Sequence, residues 1–136
     1  TDDKAAIDKI RLFGEKVGIA FQIKDDLFDY GSHEIGKPKG IDIKERKMTL
    51  PLIYALNKAS RSDKRRIINI VKNENHLPRK VDEVIQYVRA SGGIEYTEQV
   101  METYKQQALD ILLTYPASDV RDSLEEVIRY TTERKI

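Results

Sequence analysis

The sequence predicts an all-α fold, a helical bundle. Apolar residues recur at three- and four-residue spacing along nearly the whole chain, and no stretch alternates apolar with polar as a half-buried strand would. Where the spacing breaks, glycine, proline and small polar residues stand. Thr1 is placed to cap a first helix with Asp2 and Asp3 in its opening turn, and Ile10, Phe13, Val17, Phe21 and Phe28 carry that helix to Tyr30. Gly14 and Gly18, one turn apart, would let a second helix approach closely, as packing rather than a membrane contact. After a break at residues 31 to 47, Thr49 and Pro51 open a helix that runs through Leu52, Ile53 and Leu56 to Ala59. Ser62 is placed to cap the next, which holds Ile67, Ile68, Ile70 and Val71 and ends in Asn73-Glu74-Asn75-His76. Pro78 opens a helix with Val81, Val84, Ile85 and Val88, which Gly92-Gly93 stops. Ile94, Val100, Tyr104, Ala108, Ile111, Leu112 and Tyr115 make a long helix ending at Pro116, and Val120, Leu124, Val127, Ile128 and Thr131 make the last.

Composition excludes several classes of function. The 136 residues are 35% charged, and their mean hydropathy of −0.56 is polar for a domain that stands alone. With no cysteine there is no disulfide, thiolate metal site or cysteine nucleophile. No run is apolar enough to predict a transmembrane segment, and no signal-peptide pattern is present. A net charge of +1 with interspersed signs offers nucleic acid no basic face. Dinucleotide, Walker A, zincin and nucleophile-elbow motifs are all missing. His33 and His76 stand in predicted loops without partners at metal spacing and read as solvated, while Tyr87, Tyr96, Tyr104 and Tyr115 read as amphipathic residues at the edge of the core.

The informative stretch is Phe21-Gln22-Ile23-Lys24-Asp25-Asp26-Leu27-Phe28-Asp29-Tyr30, with three carboxylates in five residues of an otherwise apolar run. On a helix, Gln22, Asp25, Asp26 and Asp29 fall within an arc of roughly 100°, so the acids project into one space. They also crowd a helix C-terminus, just before Gly31, where the macrodipole disfavours negative charge and something positive should offset it. A solvated acidic face is the plain alternative. The next segment, residues 31 to 47, carries Gly31, Gly36, Pro38 and Gly40 and reads as an irregular loop bearing Lys37, Lys39, Lys44, Arg46 and Lys47. A carboxylate cluster beside lysines has the composition of a magnesium diphosphate site, because Mg²⁺ is held by one or two carboxylates plus substrate phosphates while ammonium groups meet the remaining oxygens. Lys39, Lys44 and Arg46 fit equally well as solvating charge.

These segments resemble the second aspartate-rich motif and trailing loop of the trans-prenyl (polyprenyl) diphosphate synthases. FQ-x-x-DD-x-x-D, GK-x-x-G-x-D and K-x-TLPLIYAL occur in order. Ser91-Gly92-Gly93-Ile94-Glu95-Tyr96 and the stretch from Arg121 to Lys135 are similar to that family's C-terminal region, so the resemblance covers essentially the whole chain. TLPLIYAL is closer to the long-chain, octaprenyl or heptaprenyl type than to the short-chain farnesyl type. The family's first aspartate-rich motif has no counterpart here, since Asp2-Asp3 is followed by Lys4-Ala5-Ala6. The chain is therefore expected to be the C-terminal portion of an isoprenoid synthase fold: 1–30 the Asp-motif helix, 31–47 the diphosphate loop, 48–136 the C-terminal helices.

The resemblance implies a cytoplasmic, homodimeric transferase that condenses isopentenyl diphosphate with an allylic diphosphate, with the N-terminal half of the enzyme as the missing partner. Its cofactor would be Mg²⁺, on Asp25 directly, Asp29 next and Asp26 through water. Lys37 and Lys47 would contact the diphosphate, Gln22 would line the allylic site, and Asp42 would order either the loop or a metal-bound water. Alone, the chain would be inactive. The readings left beside this one are a non-catalytic helical partner subunit, a short-chain farnesyl or geranylgeranyl diphosphate synthase, and an enzyme of another class such as a terpene cyclase, which would not be expected to show the GKPKG and TLPLIYAL segments.

Overall fold

The computed structural model describes residues 3 to 31 and 40 to 133. It is all-α: seven helices and no strand among the described residues, namely α1 (Lys4–Phe28), α2 (Ile41–Lys44), α3 (Leu50–Lys58), α4 (Arg61–Asn73), α5 (Pro78–Ala90), α6 (Gly93–Leu112) and α7 (Asp119–Glu133). The described residues fall into two compact units, one within 1–24 and 99–134, the other within 25–98, and the borders after residues 24 and 98 lie inside α1 and α6.

In the first unit Phe13 of α1 packs with Ala108, Leu109 and Leu112 of α6 and Ile128 of α7, and Val17, Phe21 and Ile111 close over them. Lys105 lies nearly buried in this unit and is matched by Glu133 at 2.7 Å. The apolar spacing identified more surface than this unit buries. Ile10 is 53% exposed and Val120, Leu124 and Val127 are exposed as well, so the face of α7 that they share is not covered by described residues. Gly14 and Gly18 were expected to admit a close helix, yet a Cβ built at either meets nothing within 4 Å among the described residues.

The second unit is built around α5, which packs on α3 and α4. Ile43, Leu52, Ala55, Ile67, Val84 and Val88 are fully buried in its core together with Tyr30. Each large aliphatic side chain taken out of water there contributes roughly 1.5–3 kcal/mol. The caps differ from the sequence expectation in one place. Ser60, not Ser62, caps α4, accepting from the Asp63 N–H at 3.1 Å; the spacing Ser60-x-x-Asp63 sets an acid at the third helical position, which Ser62 lacks. Ser118 caps α7 in the same way, through the Arg121 N–H. Thr1 lies outside the described residues, and the Asp3 carboxylate accepts from the Ala5 N–H at the start of α1 instead.

Gly92 and Gly93 do more than end α5. Gly92 takes φ +86°, and a Cβ on Gly93 would stand 2.7 Å from the Pro51 carbonyl oxygen and 3.2 Å from Val88, so α3 and the start of α6 meet across a gap that no side chain fits. Gly93→Ala should therefore lower stability by about 1–3 kcal/mol. Gly18→Ala, inside α1 with open space around it, should raise stability by about 0.5–1 kcal/mol. Urea unfolding of both variants checks the pair; a common sign would contradict the packing described here.

Candidate functional site

α1 runs out at Phe28, and its last turn tightens: Asp29 N–H reaches Asp26 O at 3.4 Å and Tyr30 N–H reaches Leu27 O at 3.1 Å. Asp29 thus lies just past the regular helix, and the arc expected to align three acids applies only to the first two. Asp25 and Gln22 are exposed and Asp26 is half-buried, but Asp29 is fully buried. Both Asp29 carboxylate oxygens accept the Asp42 N–H, at 3.0 and 3.1 Å, and Oδ2 also accepts the Ile43 N–H at 3.3 Å. Its carbonyl receives the Gly40 N–H at 3.2 Å.

The described part of the predicted loop, from residue 40 onward, is consequently not all loop. Ile41–Lys44 closes into α2, entered through Gly40 at φ +81°, a backbone shape that favours glycine. A Cβ on Gly40 would also come within 2.5 Å of Val81. Two further ties hold this end down: the Asn75 amide donates to Lys44 O at 2.7 Å, and the Arg46 guanidinium donates to Lys72 O at 3.1 Å.

Lys47 follows as an exposed cation. Its backbone N–H donates to Asp42 O at 2.8 Å, and its ammonium stands 3.7 Å from the buried Asp42 carboxylate and 3.4 Å from Glu45. Glu45, by hydrogen bond and charge, then Asp42 and finally Asp25 hold the Lys47 ammonium above its ordinary pKa. The structure thus brings Asp29, Asp42 and Lys47 into one connected set, with the charge of Asp25 felt at Lys47. Lys37 lies outside the described residues, as do Lys39 and His33. His76 is exposed, as expected of a solvated residue.

Sequence spacing missed three supports. Arg89 of α5 donates to Tyr30 O at 2.9 Å, Tyr30 OH pairs with Thr49 Oγ1 at 3.2 Å, and Asn75 holds α2. None belongs to a motif; only the fold makes them neighbours. Among the described residues no three carboxylate or imidazole side chains are arranged to hold a metal ion. The hard oxygen donors of Asp25 and Asp26 suit Mg²⁺, whereas Asp29 has both oxygens turned onto backbone N–H groups.

The family model described as polyprenyl synthetase matches residues 1–88. The chain belongs to that family. It is 34% identical over 125 residues to heptaprenyl diphosphate synthase component 2 of Bacillus subtilis, covering 90% of this chain and 35% of that protein. Among solved structures, geranylgeranyl pyrophosphate synthase from Bacteroides thetaiotaomicron superposes with a TM-score of 0.86 at 37% identity, covering 98% of this chain and 44% of that one. Polyprenyl synthase from Caulobacter crescentus, complexed with calcium and isoprenyl diphosphate, gives 0.82 at 28% identity, with 98% and 42% covered. The chain therefore spans less than half the length of each of these polyprenyl synthetase relatives.

Tyr30 offers a test of this corner by pH. Burial pushes its phenol far above the ordinary value, the Thr49 hydrogen bond opposes this, and the charges of Asp29, Asp42 and Asp26 add to the rise. Below about pH 10 the phenol is protonated in both folded and unfolded chains and contributes no pH dependence; above it the unfolded chain ionises first, so stability falls as pH rises. Tyr30→Phe should remove that part of the alkaline loss while costing about 1 kcal/mol at neutral pH through the Thr49 hydrogen bond. Urea unfolding of both proteins at pH 7 and pH 11 measures each effect.

Proposed function

We propose that the chain carries the second aspartate-rich half of a trans-prenyltransferase site, which joins isopentenyl diphosphate to an allylic diphosphate and builds a long-chain all-trans polyprenyl diphosphate. The observation that carries this reading is the end of α1, where exposed Asp25 and half-buried Asp26 stand in the field of the exposed Lys47, which is held chiefly by Glu45 and Asp42 and feels the charge of Asp25 after them. Carboxylates and an ammonium at one end of a helix have the composition that a metal-chelated diphosphate takes.

In this reading residues 1–30 form the Asp-motif helix, 31–47 the diphosphate loop and 48–136 the C-terminal helices. Asp25 holds Mg²⁺ directly and Asp26 through water, and the metal when bound neutralises charge on the departing diphosphate. Lys47 and Lys37 meet the diphosphate oxygens that the metal leaves, and Gln22 lines the allylic end. The alkene of isopentenyl diphosphate needs no protein nucleophile, which accords with a chain without cysteine or an elbow serine. The first aspartate-rich motif and the isopentenyl diphosphate site come from residues outside these 136, and the reaction takes place in the cytoplasm.

The name of the B. subtilis relative and the TLPLIYAL segment support a long product; the geranylgeranyl synthase structure supports the short-chain alternative. That the same relative is called a component supports a second polypeptide, and not a homodimer alone, as the source of the rest of the site.

Calorimetric titration of this chain with geranylgeranyl diphosphate should show binding that requires Mg²⁺, with no turnover of isopentenyl diphosphate. Asp25→Ala should weaken that binding by at least about tenfold, the scale of one charge-assisted contact. Lys44→Ala, exposed at the end of α2, should change it less than about twofold, as most surface substitutions do. Equal losses in both variants, or binding indifferent to Mg²⁺, would sink the assignment.

A further inference from the structure

We infer that Asp29 is a positioning residue for Lys47 and not a third metal ligand. This rests on the diphosphate reading above and deepens it. Asp29 has the motif position of a ligand but the surroundings of an anchor: it is fully buried, and its two oxygens receive the N–H groups of Asp42 and Ile43 at 3.0 to 3.3 Å. Swinging it towards a solvent-side cation would break these contacts and take a charged acceptor away from two buried backbone donors.

The same contacts lead step by step to Lys47. The Gly40 N–H on Asp29 O and the Asp42 and Ile43 N–H groups on its carboxylate set the start of α2. α2 in turn fixes Asp42, whose side chain is 4% exposed. Asp42 then holds Lys47 twice, by its carbonyl on the Lys47 N–H at 2.8 Å and by its carboxylate 3.7 Å from the ammonium. Glu45 is nearer the ammonium, but its side chain is 52% exposed and its pull is screened by water, so the buried Asp42 decides where the cation stands.

Carboxyl-carbon and amide NMR on the unmodified chain tests this directly. Adding Mg²⁺ with inorganic diphosphate should move the Asp25 carboxyl signal, while the Asp29 signal and its coupling to the Asp42 amide persist. Displacement of the Asp29 carboxyl with loss of that coupling would overturn the inference. In variants, Asp29→Asn should shift the Lys47 side-chain signals to the positions they take in Asp42→Asn, and should speed exchange of the Asp42 and Ile43 amides by about tenfold or more, the scale of a charge-assisted hydrogen bond. Unmoved Lys47 signals in a folded Asp29→Asn protein would equally overturn it.

A binding cycle supplies the last discrimination. With Mg²⁺ and inorganic diphosphate, Asp29→Asn should weaken binding by about tenfold in the parent and by less than about twofold in Lys47→Ala, because residues acting through one another do not add. The Mg²⁺ concentration for half-saturation should stay where it was. Additive losses with a shifted Mg²⁺ requirement would make Asp29 a ligand. Absence of any diphosphate binding by the parent chain would defeat the functional reading instead, and the Lys47 and amide signals would still decide the positioning role.

Discussion

A carboxylate withdrawn from water must be solvated by the protein around it, and the second unit is organised by how it solvates Asp29. Burying such a group unpaired would cost several kcal/mol or force it to neutralise. Here the backbone supplies the donors, and the donors come from a segment that would otherwise have no reason to coil: four residues are too few for a helix to hold by itself. The carboxylate takes the place of the missing N-terminal turns, and α2 exists because Asp29 receives its first N–H groups.

The end of α1 is held from the other side as well. Arg89 donates to the Tyr30 carbonyl, two residues past the end of α1, and Tyr30 itself sits in the core with its hydroxyl on Thr49, the residue that precedes α3. Ile43 of α2 is fully buried in the same core as Ile67, Val84 and Val88. Packing and hydrogen bonding thus agree on one placement of α2, and neither would suffice alone: the core is indifferent to the direction of an N–H, and a single carboxylate cannot choose between helix faces.

Much of this was legible in the residues. The spacing of Ile67, Ile70, Val71, Val81, Val84, Ile85 and Val88 marked a core face that the structure buries, because α4 and α5 find each other within the chain. The same kind of spacing in Val120, Leu124 and Val127 marked a face that stays exposed. Periodicity reports that a helix has an apolar side and is silent on whether these residues supply its cover. In the site, residue types and order pointed to Asp25, Asp42 and Lys47 together, but the helical wheel misplaced Asp29. A wheel assumes that the helix continues, and α1 stops one residue too soon.

That one residue separates two physical tasks within a single motif. Acids at a helix C-terminus face the negative end of the macrodipole, and the sequence argument required a positive partner for all of them. The structure treats two of them differently. Asp29, past the last turn and out of solvent, is met by N–H dipoles fixed in the backbone. Asp25, inside the last turn and in solvent, is near enough to Lys47 to raise its proton affinity. A backbone donor cannot leave, whereas an exposed lysine and an exposed carboxylate can both exchange partners when a ligand of mixed charge arrives. The distinction follows from burial and helix length, neither of which spacing alone can report, and it is why three aspartates in five residues should not be expected to act alike.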